Sequence, residues 1–282
     1  MPSLNSARPL LICPLCKSDF SDEHSTVTTL KCDQGHSFDR ARQGYWHLLP
    51  VQKKRSKDPG DNPEMVIART EFLDQGHYAP LGERVAALAC ELMPNREGTL
   101  LDMGCGEGYY TSLMAEQLKD SAVIGLDISK HAIKAACRRD KSITWLVASG
   151  ADMPVKAHSQ SVITVLFSRL MPEALNKALH QEGFLILVWP AEQHLLELRS
   201  IIYDEIRPSS FDPVKDLSAL FSLKQQERLS FTFSPKESEL EALLSMTPHG
   251  QRIQGEKRQQ LISSGDLNLT FDVNIAVFQP TS

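Results

Sequence analysis

The chain has 282 residues, with 30 lysines and arginines against 35 aspartates and glutamates, and its formal net charge is −5. Hydrophobic residues make up 41% and charged residues 23%, a balance typical of a globular protein that excludes long disordered segments. No run approaches the roughly 18 apolar residues of a transmembrane helix, and the N-terminus lacks a signal-peptide pattern, so we expect a cytoplasmic protein without membrane contact.

The charge is distributed unevenly along the chain. Residues 1–57 contain nine lysines and arginines and five acids, whereas the remaining residues contain 21 and 30. A length of this kind accommodates one large domain plus a small module, at about 100–200 residues per domain. We therefore predict a basic N-terminal module at residues 1–60 and an acidic main domain at residues 61–282.

Three of the six cysteines lie close together near the N-terminus. Cys13 and Cys16 form a C-x2-C pair, fifteen residues separate Cys16 from Cys32, and three residues separate Cys32 from His36. Two ligand pairs on two turns are typical of a tetrahedral zinc site, so we predict one structural zinc ion held by these four side chains. A disulfide or buried free thiols would be the alternative, and the missing signal peptide argues against a disulfide framework.

A basic run follows the predicted zinc module. It contains Lys53, Lys54, Arg55 and Lys57, with Trp46 a few residues upstream. Cations that meet phosphates and rings that meet bases are typical of an RNA-contacting surface, so we predict RNA binding here. The alternative is a solvated linker that ends at the turn formed by residues 58–61.

The main domain begins with helical patterns at residues 64–74 and 80–93. A short apolar strand at 99–103 is followed by Gly104-Cys105-Gly106-Glu107-Gly108 and by a predicted helix over 109–119. Glycines allow a tight turn and a close approach of the backbone to a ligand. Asp102 just before this turn would repel a pyrophosphate, but it can face a cation such as an α-amino group.

Further strands are predicted at residues 123–128, 143–148, 162–167 and 184–189, with helices between most of them. Asp127 lies at the end of the second strand, where an acid typically accepts hydrogen bonds from ribose hydroxyls, and Ser129 is expected to cap the next helix. A helix through residue 244 and a strand at 267–278, placed at the sheet edge, complete the chain. This alternation predicts an α/β fold with a mostly parallel sheet and helices on both faces, and a nucleoside-ligand site.

At this point a family resemblance is evident. The segments LLDMGCGEGYYT and GLDIS resemble the Rossmann-like S-adenosylmethionine-dependent methyltransferases, which implies a seven-stranded sheet. Together with CPLC, GYWHLLPVQKKRSKDPGDNPEM and FLDQGHYAPL, they resemble the bacterial ribosomal RNA (guanine-N1)-methyltransferases over nearly the whole chain. The resemblance implies methyl transfer to N1 of one guanine in a hairpin of the large-subunit (23S) ribosomal RNA, RNA recognition by the zinc module, and a homodimer.

The resemblance also implies roles for individual residues. Cys13, Cys16, Cys32 and His36 match the zinc ligands. The cofactor contacts implied are Tyr78, Asp102, Gly104, Cys105, Gly106, Tyr110, Thr111, Asp127, Ile128, Ser149 and His194. Tyr110 could instead pack in the core, and His194 could simply start a helix.

Methyl transfer to guanine N1 requires removal of the N1 proton, and the base must be unpaired or flipped out. His194 and His77 are the catalytic candidates, while Asp152 and an ordered water are alternatives. Tyr78, Tyr109, Trp46 and Phe167 could stack on the base. One segment departs from the family pattern, because Phe167-Ser168-Arg169-Leu170 stands where the family has Tyr-Ala-Pro-Cys.

Two other classes of function remain open at this stage. One is a methyltransferase that acts on another RNA or on a small molecule and carries a structural zinc site. The other is a non-catalytic RNA-binding protein that retains the cofactor fold. Turnover with a free metabolite would favour the former, and cofactor binding without methyl transfer to ribosomal RNA would favour the latter.

Overall fold

The structure is a computed structural model that describes residues 7–53, 56–94, 98–207, 209–247, 250, 252–253, 255–263 and 267–281. The N-terminal module consists mainly of turns. Strands β1 (Thr29–Lys31) and β2 (Ser37–Asp39) pair antiparallel, and β3 (Trp46–His47) follows. Most of the described segment up to residue 49 therefore has little regular secondary structure.

The main domain alternates helices and strands. The helices are α1 (Pro63–Asp74), α2 (Ala79–Leu92), α3 (Tyr109–Gln117), α4 (Lys130–Arg139), α5 (Pro172–Ala178), α6 (Leu196–Ile202), α7 (Pro213–Leu217), α8 (Glu237–Met246) and α9 (Gly255–Ser263). The strands are β4 (Thr99–Met103), β5 (Ala122–Asp127), β6 (Thr144–Val147), β7 (Gln160–Leu166), β8 (Leu179–Pro190), β9 (Phe221–Phe233) and β10 (Leu269–Pro280). Among these helices, none is both long and apolar enough to cross a membrane.

One sheet of eight strands forms the centre of the molecule, in the order β3-β6-β5-β4-β7-β8-β10-β9. The first six strands are parallel, whereas β10 pairs antiparallel with both β8 and β9. Because the parallel strands all end at the same edge of the sheet, the turns after β4, β5, β7 and β8 come together there. The order reverses beside β4, which opens a crevice at this edge.

Both faces of the sheet are covered. In β4, Leu100 belongs to a buried cluster with α1, α2 and α4, and Leu101 belongs to a second cluster on the other face. The second cluster contains residues of α5 and α7 and also Leu11 and Leu30 of the N-terminal module. The predicted α/β architecture is confirmed, and the module covers part of a face that the sequence pattern assigned to helices alone.

The local signals in the sequence locate the early elements well. Asn62 caps α1 by accepting a hydrogen bond from the amide of Met65, and Pro63 occupies the first helical turn, which needs no N–H there. Ser129 caps α4 by accepting from the amide of Ala132, as predicted. The helices expected at residues 64–74, 80–93 and 109–119 and the strands of the parallel sheet are all present, with shifts at their ends.

Three expectations about the sheet are wrong. The strand near residues 267–278 does not close the edge, because β9 lies outside β10 and pairs with it from Leu269 to Pro280. The sheet has eight strands rather than seven, since β3 of the N-terminal module pairs in parallel with β6. β8 begins at Leu179, five residues before the predicted start.

The N-terminal module is attached to the main domain along its length. The amide of Ile12 donates to the carbonyl of Pro154, and the amide of Leu48 donates to the carbonyl of Val147. The ammonium of Lys17 lies 2.5 Å from a carboxylate oxygen of Asp152. Apolar burial, backbone hydrogen bonds and an ion pair thus join the two parts.

Candidate methyltransferase site and metal centre

The glycine-rich turn connects β4 to α3 at the open edge of the sheet. Gly104, Gly106 and Gly108 all have positive φ angles, between 58° and 83°, a region that side chains rarely adopt. A β-carbon on Gly104 would also collide with the side chain of Ser168. The glycines at these positions are therefore required by the backbone, and the amide of Gly104 donates to the carbonyl of Leu126, which holds the turn against β5.

Asp102 lies just before this turn and is 2% exposed. Its two carboxylate oxygens accept hydrogen bonds from the hydroxyls of Thr111, at 2.5 Å, and Thr164, at 2.8 Å. Burial raises the pKa of Asp102 to about 6, although both hydroxyls act in the opposite direction. The acid is fixed in orientation and lines the crevice.

Asp127 ends β5 beside it. One carboxylate oxygen accepts from the amide of Gly106 at 3.0 Å, and the other accepts from the amide of Ser129 at 2.7 Å. Burial raises the pKa of Asp127, and these two amides oppose that shift. The carboxylate thereby ties the glycine-rich turn to the start of α4.

A cavity of about 1030 Å³ occupies the crevice at the carboxyl ends of the parallel strands. Its lining includes nine of the predicted cofactor residues, namely Tyr78, Asp102, Gly104, Cys105, Gly106, Tyr110, Asp127, Ile128 and His194. Two predicted contacts lie outside the lining. Thr111 holds Asp102, and Ser149 accepts a hydrogen bond from the amide of Ala151.

The two histidines predicted to be catalytic differ in position. His194 lines the cavity, and its Nδ1 accepts a hydrogen bond from the amide of Asp272 at 3.2 Å. The neutral ring therefore carries its proton on Nε2, where it can donate a hydrogen bond. His77 is not part of the lining; its Nε2 lies 3.0 Å from Glu239, and its ring packs beside Phe72. The geometry argues against a direct role for His77.

Several cavity residues were not predicted from the sequence. Arg69 of α1 donates a hydrogen bond to Asp61, and both line the cavity with Glu107 of the glycine-rich turn. An oxygen of Glu107 and the hydroxyl of Tyr110 are buried without a hydrogen-bond partner in the described chain. Glu107 stands in the GCGEG motif and could have been noticed there. Nothing in the sequence marked Asp61 and Arg69.

The atypical segment after β7 forms another part of the cavity wall. Phe167, Ser168, Arg169 and Leu170 all line the cavity, and Phe167 has a φ of 52°. Its ring is 42% exposed and lies 6.1 Å from the imidazole of His194, centroid to centroid. A phenylalanine in the left-handed region is strained, and such residues are concentrated at functional sites.

The four predicted metal ligands lie close together in the N-terminal module. The ligand atoms of Cys13, Cys16, Cys32 and His36 all lie within 4.8 Å of one another. The Sγ atoms of Cys16 and Cys32 are 3.6 Å apart, and His36 Nδ1 lies 3.4 Å from Cys32 Sγ. Zn–S bonds of about 2.3 Å in a tetrahedron require sulfur separations of about 3.8 Å, so the cluster fits zinc.

The turns around the ligands explain this convergence. Lys17 after the first pair and Gly35 within the second pair have φ angles of 65° and 82°. These left-handed residues turn the backbone back toward the ligands. A hydrogen bond with the Ser18 hydroxyl lowers the pKa of Cys16 to about 6, which favours the thiolate that binds metal.

The predicted RNA contacts have mixed outcomes. Trp46 is 9% exposed and lies in β3 of the sheet, with the guanidinium of Arg40 about 6.0 Å from its ring, so it does not offer a free stacking face. The burial of Trp46 argues against stacking of an RNA base on this ring. Lys57 is exposed, whereas Lys54 and Arg55 and the side chain of Lys53 lie outside the described residues.

The other candidate stacking rings are also constrained. Tyr78 is 4% exposed, and burial raises its pKa. Tyr109 is half-buried with the guanidinium of Arg139 5.5 Å from its ring. Phe167 alone among the four predicted rings is both exposed and part of the cavity wall.

Comparison with known proteins matches two segments of the chain to protein families. Residues 11–57 match the zinc-ribbon family described as "RlmA, N-terminal", and residues 100–182 match the family described as "Methyltransferase domain". A chain of the solved complex between the Haloferax volcanii Trm112 methyltransferase activator and a methyltransferase has the same fold. It is 17% identical with a TM-score of 0.50, and the match covers 79% of this chain and 100% of that one.

Relatives of known description span the whole chain. The 23S rRNA (guanine(748)-N(1))-methyltransferase of Streptomyces fradiae is 30% identical over 276 residues, which cover 96% of each chain. Protein YxjB of Bacillus subtilis (strain 168), assigned provisionally to the 23S rRNA (guanine-N1)-methyltransferases, is 28% identical over 94% of this chain and 95% of its own. The zinc-ribbon ligands, the cofactor crevice and this full-length similarity together show that the chain belongs to the family of zinc-containing, S-adenosylmethionine-dependent 23S rRNA (guanine-N1)-methyltransferases.

Proposed function

We propose that this protein transfers a methyl group from S-adenosylmethionine to N1 of one guanine in a hairpin of 23S ribosomal RNA. The observation that carries the proposal is the single cavity of about 1030 Å³. We call the lining formed by the glycine-rich turn, Asp102 and Asp127 the cofactor half, and the lining that includes the exposed ring of Phe167 the acceptor half. A nucleoside cofactor and an extruded base therefore share one space.

The residues of the first half fit the cofactor. Asp127 would hold the ribose hydroxyls, and Asp102, whose carboxylate accepts hydrogen bonds from two threonine hydroxyls, would hold the amino group of the methionine part. Arg69, the buried oxygen of Glu107 and the hydroxyl of Tyr110 add polar partners in the same half. The bound cofactor supplies a methyl group that is already activated on a sulfonium, so the chain has to align the acceptor and exclude water.

His194 belongs to the boundary between the two halves. Because its Nδ1 accepts the Asp272 amide, the ring can donate from Nε2 but is poorly suited to take a proton. We infer that it orients the cofactor or the guanine by donating a hydrogen bond. Of the alternatives for the proton acceptor, Asp152 is paired with Lys17 and lies outside the cavity lining.

The zinc ribbon and the basic run after it are proposed to bind the RNA. Residues 1–57 contain nine lysines and arginines against five acids, and the side chain of Lys57 is exposed. Affinity should fall as salt rises, because phosphate contacts release counterions. We further propose that the enzyme acts on ribosomal RNA in the cytoplasm as a homodimer, which light scattering of the purified protein would test.

The direct test uses unmodified 23S ribosomal RNA and a methyl-labelled cofactor. Because N1 methylation blocks base pairing, primer extension should stop at one guanine after incubation with the protein. Label incorporated without any such stop would indicate another RNA position, and label transferred only to free metabolites would favour a small-molecule enzyme. Cofactor binding without transfer to any acceptor would favour a non-catalytic RNA-binding protein.

A further inference from the structure

Two charged side chains of the cavity wall are uncommitted. Arg169 follows β7 and Asp216 belongs to α7; both are exposed and line the cavity, and their side chains make no hydrogen bond or ion pair within the described residues. The other cavity carboxylates differ. Asp61 is paired with Arg69, and Asp127 accepts two backbone amides.

Asp102 and Glu107 are also unavailable to an acceptor. Asp102 accepts two threonine hydroxyls, and Glu107 is 2% exposed within the glycine-rich turn, with Arg139 3.9 Å from one oxygen. Asp216 is therefore the cavity carboxylate that a ligand entering from solvent can reach and use.

Two exposed aromatic rings line the same cavity as Arg169 and Asp216. Phe167 is 42% exposed and Phe211, in the connection between α6 and α7, is 41% exposed, although both line the cavity. An exposed ring at a cavity mouth offers a flat apolar face, which is the surface on which unpaired bases stack. The two rings and the two uncommitted charges thus bring three kinds of contact to one cavity.

We propose that Phe167, Arg169, Phe211 and Asp216 form the pocket for the target guanine, with Asp216 as the acceptor of the N1 proton. The proposal rests on the proposed function and assigns its acceptor side. Guanine offers N–H donors at N1 and N2, acceptors at O6 and N7, and two apolar faces. A carboxylate, a guanidinium and phenyl rings are the matching partners for these three features.

The chemistry balances with these residues. The N1 proton moves to the Asp216 carboxylate, and the electron pair of the N–H bond stays on N1, with its charge shared with O6 beside Arg169. That in-plane pair forms the new N–C bond, while the bond between the methyl carbon and the sulfonium breaks and its electrons remain on sulfur. The products are N1-methylguanine, S-adenosylhomocysteine and protonated Asp216, which then returns the proton to water.

The test replaces Asp216 with asparagine in the full-length protein. Asp216→Asn should lower kcat for 23S ribosomal RNA by about 100-fold or more, the effect of removing a general base. Its affinity for S-adenosylhomocysteine, measured by calorimetry, should stay unchanged because the other half of the cavity binds it. Asp204→Asn is the matched control, since Asp204 is exposed and does not line the cavity, and its kcat should be that of the wild type.

Inosine separates recognition of the base from a purely structural effect. A hairpin transcript with inosine at the mapped target lacks the N2 amine, so the wild type should methylate it about tenfold more slowly. Asp216→Asn should methylate the guanine and inosine transcripts at similar rates, whereas Arg169→Gln should retain the preference for guanine. Phe211→Ala should raise KM for the transcript with little change in the ratio of the guanine rate to the inosine rate. Wild-type kcat and preference in Asp216→Asn would overturn the pocket assignment.

The failure of the pocket and the failure of the proposed function have different signatures. If the wild type gives no primer-extension stop on 23S ribosomal RNA, the function itself is wrong. If the wild type gives the stop and Asp216→Asn gives it at the same rate, only the pocket is wrong. If Asp216→Asn also loses cofactor binding, the variant Asp216→Glu decides the matter. A local role for Asp216 stands if Asp216→Glu restores cofactor binding without restoring the wild-type rate, and it is refuted otherwise.

Discussion

The zinc ribbon and the cofactor-binding sheet are stabilised in different ways. All five residues of β4 are buried, and alternate side chains supply apolar contacts to both faces of the sheet. The ribbon has two three-residue strands and a four-ligand cluster, and its buried apolar residues join the core of the main domain. Order in the ribbon therefore depends on metal and on docking, whereas the sheet depends on burial, so each can be perturbed separately.

Removal of one metal ligand should give the largest effect. Cys16→Ala is expected to lose the bound zinc, which in isolated zinc modules contributes about 10 kcal/mol or more of apparent folding free energy. Native mass spectrometry should show one metal per chain in the wild type and none in the variant. Binding of S-adenosylhomocysteine should persist, because among the described residues the cavity lining begins at Gly60, after the ribbon.

Cys90→Ala is the matched control for that experiment. Cys90 is a half-buried free thiol of α2, away from the metal cluster, and its replacement should leave the zinc content unchanged. Loss of cofactor affinity together with the metal would show that ribbon and sheet are one cooperative unit, which would break the comparison.

Removal of Asp127, the proposed ribose-binding acid, should affect cofactor binding and leave the zinc in place. Asp127→Ala should weaken binding of S-adenosylhomocysteine by roughly 300-fold, about 3 kcal/mol, because two charge-assisted hydrogen bonds to the ribose are lost. The zinc content should remain one per chain. Calorimetry measures the first quantity and mass spectrometry the second.

Asp120→Ala removes an exposed acid just before β5 and should leave both measurements at the wild-type values. An unchanged affinity in Asp127→Ala would refute the ribose role. The remaining function of Asp127 would then be to hold the amides of Gly106 and Ser129.

The smallest effect concerns pH and the buried Asp102. Its folded-state pKa of about 6 exceeds the ordinary value of 3.8, so the folded protein binds more protons than the unfolded chain between these values. The free energy of unfolding contributed by this group therefore falls as pH rises, by about 1 to 1.5 kcal/mol between pH 5 and 7. Urea unfolding of wild type and Asp102→Asn at both pH values measures it.

The asparagine variant lacks the titrating group, so its stability relative to wild type should increase by that amount from pH 5 to pH 7. A constant difference between the two proteins would contradict the raised pKa. In that case the carboxyl group of Asp102 would ionise as easily as one in water, and burial in the sheet would have no effect on its pKa.

Elements that depend on local signals were predicted from the sequence. The glycine-rich turn, the capping residues Asn62 and Ser129 and the zinc ligands are each determined by a few neighbouring residues, and the structure has them where the pattern indicates. The metal-ligand geometry and the cofactor half of the cavity follow from such signals, because acids at the ends of neighbouring parallel strands must meet.

Features that depend on distant pairing were missed. β3 has only two residues, too few for any periodicity, and β9 is exposed through most of its length, so it has no continuous apolar pattern. β10 appeared to close the sheet for this reason. Phe211 and Asp216 were missed because they stand in a loop and a five-residue helix that join the cavity lining only in the tertiary fold.

The shared strand β3 has a mechanical consequence. Since Trp46 and His47 are hydrogen-bonded into the same sheet as the cofactor-binding strands, the ribbon cannot tumble independently of the cavity. Any RNA held on its surface is presented to the methyl donor at a fixed distance and angle, and the rotational entropy of docking is lost only once. The enzyme would then select its target base by the distance of that base from the ribbon-bound RNA as well as by the hydrogen-bonding groups of the base.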